Sequence, residues 1–103
     1  MEHMIIVETD ITNPIWVREY LDKVTPLVVS YGGTYITRSS TIELLEGDRK
    51  PQYVLVAKFS SKDSALGFYH SEAYAPYKTA RQNGSSSNFL LVPLENLPVS
   101  AGL

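Results

Sequence analysis

The segment Tyr53–Phe59, with the sequence YVLVAKF, carries the strongest strand pattern in this chain of 103 residues. Aromatic and β-branched residues, which favour strands, make up most of it. Its apolar side chains fall on both sides, with Leu55 and Ala57 on one face and Val54 and Val56 on the other. Because a strand that is apolar on both faces needs cover on both faces, this segment predicts a strand buried from two sides.

The residues before this segment predict a second strand and a turn. Residues 34–38 and 41–45 have the composition of one strand that bends or bulges at Ser39-Ser40. Residues 47–51 contain glycine, proline and charged side chains, which is typical of a turn.

The residues after this segment predict two helices and a last strand. Ser60 is a suitable N-cap for a helix that runs to about His70, and residues 71–81 predict a further short helix. The polar residues 82–88, with one glycine and three serines, predict a loop, and residues 89–94 predict the final strand.

The N-terminal third predicts a strand followed by a long helix. Residues 4–9 favour a strand, and Asn13-Pro14 supplies an N-cap and a proline for the first helical position. Apolar residues then recur at three- and four-residue steps, which indicates one buried helix face. Pro26 predicts a kink, and Gly32-Gly33 predicts the end of the helix.

The order of elements is therefore β-α-β-β-α-β, the ferredoxin-like pattern. It predicts an α+β fold in which a four-stranded antiparallel sheet has helices on one face. We expect a single domain with a core at residues 4–94 and a C-terminal tail at residues 95–103. Since the helices can cover only one sheet face, the other face predicts a homodimer, in which a second copy covers it.

The charge and composition exclude several classes of partner. Nine basic and eleven acidic residues give a net charge of -2, and no cluster of lysine and arginine occurs, which argues against nucleic acid binding. No apolar run is long enough for a membrane span, and no signal peptide is visible. The chain lacks cysteine, so that disulfides and thiolate chemistry are excluded and a cytoplasmic location is expected.

Several residues spread along the chain resemble a known family. They are Gly32-Gly33, Arg38, Leu45-Glu46-Gly47, Pro51, Phe59, Ala65, Phe68-Tyr69, Ser71, Tyr74 and Arg81. In this order they resemble domain-of-unknown-function family 1330, over about residues 4–92. The resemblance implies a dimeric α+β barrel and no particular reaction. Phe68 stands where that family usually has tryptophan, and Ser39-Ser40 stand where it has glycines.

No cofactor or metal site is expected. His3 and His70 have no recognisable ligand spacing, and the acidic residues Glu43, Glu46 and Asp48 are typical of a solvated turn. A phosphate-binding loop and a dinucleotide-binding fingerprint are both absent.

Two arginines and one glutamate form the main candidate site. In a structural interpretation, which we favour, Arg38 or Arg81 forms an ion pair with Glu46 and ties the strand bend to the second helix. In a functional interpretation, an arginine is held ready for an acidic small molecule.

Aromatic residues with polar ends supply further candidates. Tyr69 and Tyr74 could hydrogen-bond a ligand, although such tyrosines more often bury the ring and expose the hydroxyl. His70 is a candidate general acid or base, because an imidazole titrates near neutrality. The simpler interpretation of His70 is a solvent-facing residue at a helix end.

Three functions remain open on the sequence alone. The first is a binding protein for a small, acidic molecule, with a pocket between sheet and helices. The second is a cofactor-free enzyme that performs acid–base chemistry, of the isomerase, lyase or monooxygenase type, by analogy with related barrels. The third is a purely structural or interaction dimer.

Overall fold

In the computed structural model, which describes residues 1–96, four strands form one antiparallel sheet. The strands are β1 (His3–Ile11), β2 (Thr34–Ser39), β3 (Tyr53–Phe59) and β4 (Ser85–Pro93). Their order across the sheet is β2-β3-β1-β4, so that β2 and β4 form the edges. This topology confirms the predicted ferredoxin-like α+β fold.

Three helices cover one face of the sheet. A 3-10 turn (Pro14–Trp16) leads into α1 (Val17–Ser30), and α2 (Lys62–Tyr69) and α3 (Ala75–Gly84) lie between β3 and β4. The core forms where this sheet face meets the helices, and its buried apolar residues are Ile5, Val7, Val24, Val28, Ala57, Phe59, Ala65, Phe68 and Tyr74. None of the helices within residues 1–96 combines the length and apolarity that a membrane span needs.

The first helix begins and ends as the sequence predicts. The side chain of Asn13 accepts a hydrogen bond from the backbone N–H of Ile15 at 3.2 Å, and Pro14 opens the 3-10 turn. Gly32, with φ +81°, takes the left-handed conformation that follows a helix end. Pro26 lies inside α1, which continues to Ser30, and the kink predicted there stays a prediction.

The backbone carbonyl of Gly84 connects the end of α3 by hydrogen bonds to the chain that follows β1. It accepts hydrogen bonds at 3.0 Å from the backbone N–H groups of Thr12 and Asn13 and from the indole Nε1 of Trp16. A β-carbon at position 84 would collide with the Trp16 ring. Only glycine therefore fits at this junction, which holds α3 against Trp16.

The predicted strand at residues 41–45 is wrong. β2 ends at Ser39, and residues 40–52 form neither helix nor strand. The Ser39 hydroxyl accepts a hydrogen bond from the Thr41 N–H at 3.1 Å, and a side chain that bonds its own backbone in this way ends a strand. The bulge lies at Ile36 instead of at Ser39-Ser40.

Two boundaries near α2 and β4 also differ from the predictions. Ser61 caps α2 instead of Ser60, since its hydroxyl accepts a hydrogen bond from the Ser64 N–H at 3.0 Å. Residues 82–88 are not a loop, because α3 extends to Gly84 and β4 begins at Ser85. Their pairing with the end of β1, where Ser87 lies opposite Thr9, outweighs the low strand preference of serine and asparagine.

The other sheet face has no helix over it within residues 1–96. Ile6 lies on this open face between Val56 of β3 and Leu90 of β4. Leu90 is 46% exposed. The strands are therefore apolar on both faces, as predicted. Most of the predicted tail, from residue 97 onward, lies outside the described residues.

Candidate ligand-binding cavity

A cavity of about 230 Å³ lies between α1 and the covered sheet face. Its lining is mainly apolar and includes seven aromatic side chains, which are Trp16, Tyr20, Tyr35, Tyr53, Phe59, Phe68 and Phe89. The strands supply the floor through side chains such as Val7 and Leu55, and α1 supplies the opposite wall. A concave apolar space with few polar groups is typical of a small-molecule site.

Among residues 1–96, the charged groups that line this cavity are cationic. Arg38 and Arg81 line it, whereas no aspartate, glutamate, lysine or histidine of the described part of the chain does. These residues therefore give the cavity positive charge and supply no counter-ion to it.

Arg81 is the buried cation. It lies in the last turn of α3, is 5% exposed, and has an Nε atom with no hydrogen-bond partner within residues 1–96. Its guanidinium carbon lies 4.0 Å from the centroid of the Phe89 ring. Cation–π contact of this kind is worth about 0.5–2 kcal/mol. Burial of an unpaired charge costs several kcal/mol, so the ring offsets this cost only in part.

Arg38 reaches the cavity because of a β-bulge. Tyr35 lies opposite Ala57, but Thr37 lies opposite Val56, so that Ile36 is an extra residue in β2. Side chains alternate between sheet faces, and one extra residue reverses the alternation beyond it. Arg38 consequently shares the helix-covered face with Tyr35, and its guanidinium carbon lies 5.0 Å from the Tyr35 ring centroid.

Two tyrosines form a pair of hydroxyl groups that lies within the electrostatic influence of Arg81. The Tyr20 hydroxyl in the cavity wall lies 2.6 Å from the hydroxyl of Tyr74, which is fully buried behind it. Burial raises the pKa of the Tyr20 phenol far above its ordinary value, the Tyr74 hydroxyl adds to this rise, and the charge of Arg81 opposes it. Tyr20 is therefore neutral at physiological pH and acts as a hydrogen-bond donor or acceptor, not as a base.

Tyr35 behaves in a similar way. Burial raises the pKa of its phenol, and Arg38 opposes part of that rise. The polar surface of the cavity therefore consists mainly of guanidinium and neutral hydroxyl groups.

The predicted ion pair of Glu46 with Arg38 or Arg81 is wrong. The ion pairs within residues 1–96 are Arg49–Asp10 at 3.6 Å and Lys58–Glu2 at 3.3 Å, so neither Arg38 nor Arg81 pairs with Glu46. Glu46 is exposed and lies in the segment 40–52, which does not pair with the sheet and does not carry the carboxylate to the cavity.

His70 and Tyr69 lie at a different place. Together they line a second hollow of about 200 Å³ between α2 and β4, which contains no arginine. His70 is exposed at the C-terminal end of α2, and its ring centroid lies 5.2 Å from that of Tyr69. The structure thus brings Arg38 and Arg81 to one cavity and places Tyr69 and His70 at the other hollow. Tyr74 lies between the two, with its ring centroid 6.0 Å from those of both Tyr20 and Tyr69.

Sequence reasoning missed Trp16, Tyr20 and Tyr35 as site residues. Tyr20 was evident only as one member of the apolar face of α1. A signal was present, because a tyrosine on the core-facing side of a helix has a hydroxyl that needs a hydrogen-bond partner.

No group of three or more His, Cys, Asp or Glu side chains that could hold a metal occurs in the described part of the chain.

Fold and cavity together define a four-stranded α+β protein with an arginine-containing pocket. The chain belongs to the family described as Domain of unknown function (DUF1330), whose model matches residues 3–94. The resemblance noted from the sequence is thereby confirmed. No curated protein matches the sequence.

Solved structures with little sequence similarity share the fold. A protein of unknown function from Rhodopseudomonas palustris has 14% identity and a TM-score of 0.76, with 92% of this chain and 84% of that chain covered. SnoaB, a cofactor-independent oxygenase from Streptomyces nogalater, has 16% identity and a TM-score of 0.65, with 96% and 98% covered. The de novo designed protein Foldit4 has 10% identity and a TM-score of 0.57, with 92% and 100% covered. At these identities the likeness concerns the fold alone.

Proposed function

We propose that this protein binds a small organic acid in the cavity, with the ligand's carboxylate paired to Arg81. The proposal rests on Arg81 as an unpaired buried cation: this residue is 5% exposed, and within residues 1–96 its Nε lacks a hydrogen-bond partner and no carboxylate lines the cavity. A buried charge is normally paired. A ligand carboxylate would supply the missing partner.

The energetics favour an anion over a neutral ligand. A hydrogen bond to a charged group is worth about 1.5–3 kcal/mol, and guanidinium matches carboxylate geometry with two parallel bonds. The phenol of Tyr20 lines the same cavity and could donate a further bond, because burial raises its pKa and keeps it neutral. The aromatic lining would cover the apolar part of the acid.

The alternative of a cofactor-free acid–base enzyme has less support. Such an enzyme needs a general base within hydrogen-bonding reach of its substrate. The sequence candidate, His70, lines the other hollow, and the described residues that line the cavity include neither imidazole nor carboxylate. The geometry therefore supports binding over proton-transfer catalysis at this cavity.

Isothermal titration calorimetry with benzoate and its neutral isostere benzamide tests the proposal. We expect benzoate to bind at least about tenfold more tightly, since one charged hydrogen bond accounts for that ratio. Arg81→Met should abolish the difference. The matched control is Arg18→Met, at an exposed arginine on α1, which should preserve it. Equal binding of acid and amide, or no binding of either, would contradict the proposal.

We also propose that the protein is a homodimer through the open sheet face. On that face Ile6, Val56 and Leu90 lie side by side on neighbouring strands. An exposed contiguous apolar patch usually marks an interface. A second copy would present the same surface by two-fold symmetry, and the cavity on the covered face would remain accessible.

A further inference from the structure

The two cavity arginines lie at opposite ends of one row across the sheet. Arg38 of β2 lies opposite Leu55, Leu55 lies opposite Val7, and Val7 lies opposite Phe89 of β4. All four residues line the cavity, and Arg81 packs on the ring of Phe89. The cavity floor is therefore an apolar strip with a guanidinium at each end.

The spacing of strands sets the length of this strip. Neighbouring strands lie about 4.8 Å apart, so three spacings separate the Arg38 and Phe89 backbones by about 14 Å. A single aromatic ring with a carboxylate at each end is shorter than this separation, so that the two arginine side chains can reach its ends.

The environment at each end favours an anion. Arg38 is on the covered face only because of the bulge at Ile36, and no ion pair within residues 1–96 neutralises it. Arg81 is buried and likewise lacks a carboxylate. The ring of Tyr35 packs against Arg38 and the ring of Phe89 against Arg81, so that an aromatic side chain positions each guanidinium group.

From this arrangement we propose that the ligand is an aromatic diacid with acidic groups at opposite ends of one ring system, the first on Arg81 and the second on Arg38. This inference rests on the proposed function, which concerns Arg81 alone. It adds a second recognition point, at which Arg38 selects diacids over monoacids. Because Arg38 is exposed, its contribution is that of a partly solvated ion pair.

The test compares terephthalate with 4-carbamoylbenzoate, which has the same size and planarity but one charge less. Titration calorimetry at constant ionic strength should show terephthalate binding about three- to tenfold more tightly, which combines a partly exposed charge pair with a statistical factor of about two for its two equivalent carboxylates. Arg38→Met should reduce this ratio to about two, the statistical factor alone, while the affinity for 4-carbamoylbenzoate stays unchanged. Arg18→Met is the control and should retain the ratio.

The outcomes separate this inference from the proposed function. If terephthalate binds the unsubstituted protein no more than about twofold more tightly than 4-carbamoylbenzoate, and Arg81→Met weakens both, the diacid inference is wrong and the acid site on Arg81 stands. If neither acid binds, both are wrong. The comparison of the two ligands on the unsubstituted protein needs no variant. The inference can therefore be refuted even if Arg38→Met fails to fold.

Discussion

The hydroxyl of Tyr20 on α1 lies 2.6 Å from the hydroxyl of Tyr74, the residue that precedes α3. The two rings also meet edge to face, with centroids 6.0 Å apart. This pair joins α1, which forms a wall of the cavity, to the start of α3, which carries the buried Arg81. Its contribution can be measured by removing each hydroxyl in turn.

We expect Tyr20→Phe to lower the free energy of unfolding by about 1–3 kcal/mol, because it leaves the buried Tyr74 hydroxyl without a partner. Tyr20→Phe with Tyr74→Phe should cost less than the sum of the single changes, since neither hydroxyl is then left unpaired. Urea unfolding measures both effects. Tyr77→Phe, at a half-buried tyrosine of α3 outside this pair, is the control, and strict additivity would contradict the coupling.

Arg81→Met should leave the thermal stability within about 1 kcal/mol or raise it. Methionine removes the cost of a buried charge, which exceeds the cation–π energy that is lost with it. Thermal melting of Arg81→Met beside the exposed control Arg18→Met measures the difference. Combination with Glu46→Gln should be additive, because Glu46 forms no ion pair with Arg81. Strong destabilisation, or coupling to Glu46, would restore the structural interpretation.

The tyrosine pKa shifts predict a loss of stability in alkaline solution. A phenol whose pKa is raised in the folded state stabilises the fold fully below its unfolded pKa, near 10.0, and loses that contribution as the pH rises beyond it. The free energy of unfolding should therefore fall more steeply above about pH 10 in the unsubstituted protein than in Tyr20→Phe. Urea unfolding between about pH 8 and pH 11 tests this, and parallel curves would show that Tyr20 does not contribute.

Gly84→Ala should destabilise the protein by about 1–3 kcal/mol. The added methyl group would overlap the Trp16 ring and approach the Asn13 carbonyl oxygen to 2.9 Å, and overpacking of this degree forces the backbone to move. Gly67→Ala in α2 is the matched control, since its new β-carbon would lie 3.3 Å from Tyr31 Cε1 and alanine favours a helix. Chemical denaturation compares the free energies of unfolding of the two variants. Equal values would show that the chain around Gly84 rearranges at little cost and would contradict the prediction.

Ile6→Glu should convert the proposed dimer to a monomer without unfolding it. A carboxylate at the centre of the open face would have to be buried in the interface but could stay hydrated in the monomer. Analytical ultracentrifugation at micromolar concentration should show twice the 11.5 kDa chain mass for the unsubstituted protein. Val29→Glu, at an exposed position on α1, should remain dimeric. An unsubstituted chain that sediments as 11.5 kDa would refute the dimer.

Elements with strong local patterns were predictable, as the segment Tyr53–Phe59 shows, because its bounds are those of β3. The capped start of the first helix at Asn13 was predictable for the same reason. Residues 41–45 carry strand-forming side chains but find no neighbouring strand. Ser85 has little strand preference, but it pairs with the neighbouring strand β1, where it lies opposite Ile11. Pairing partners are a property of the whole fold, so local composition could not decide either case.

Of the candidate site, the sequence indicated the two arginines but neither their surroundings nor the aromatic lining. Arg38 and Arg81 stood out as chemistry-bearing side chains, yet their partner was wrongly assigned to Glu46. That assignment depended on where the segment 40–52 lies, and nothing in its sequence determines this. The bulge at Ile36 was equally hidden, because it changes which face a side chain occupies without changing the composition of β2.

The bulge also makes the chemistry of the cavity mouth depend on the number of residues in one edge strand. Insertion of one residue after Thr37 would place the new residue opposite Leu55 and move Arg38 opposite Val54 on the open face, while the central strands kept their register. The inserted side chain would then replace a cation at one end of the floor. A protein of this design could thus change its ligand through a one-residue insertion in an edge strand, a route to new specificity that leaves its core sequence intact.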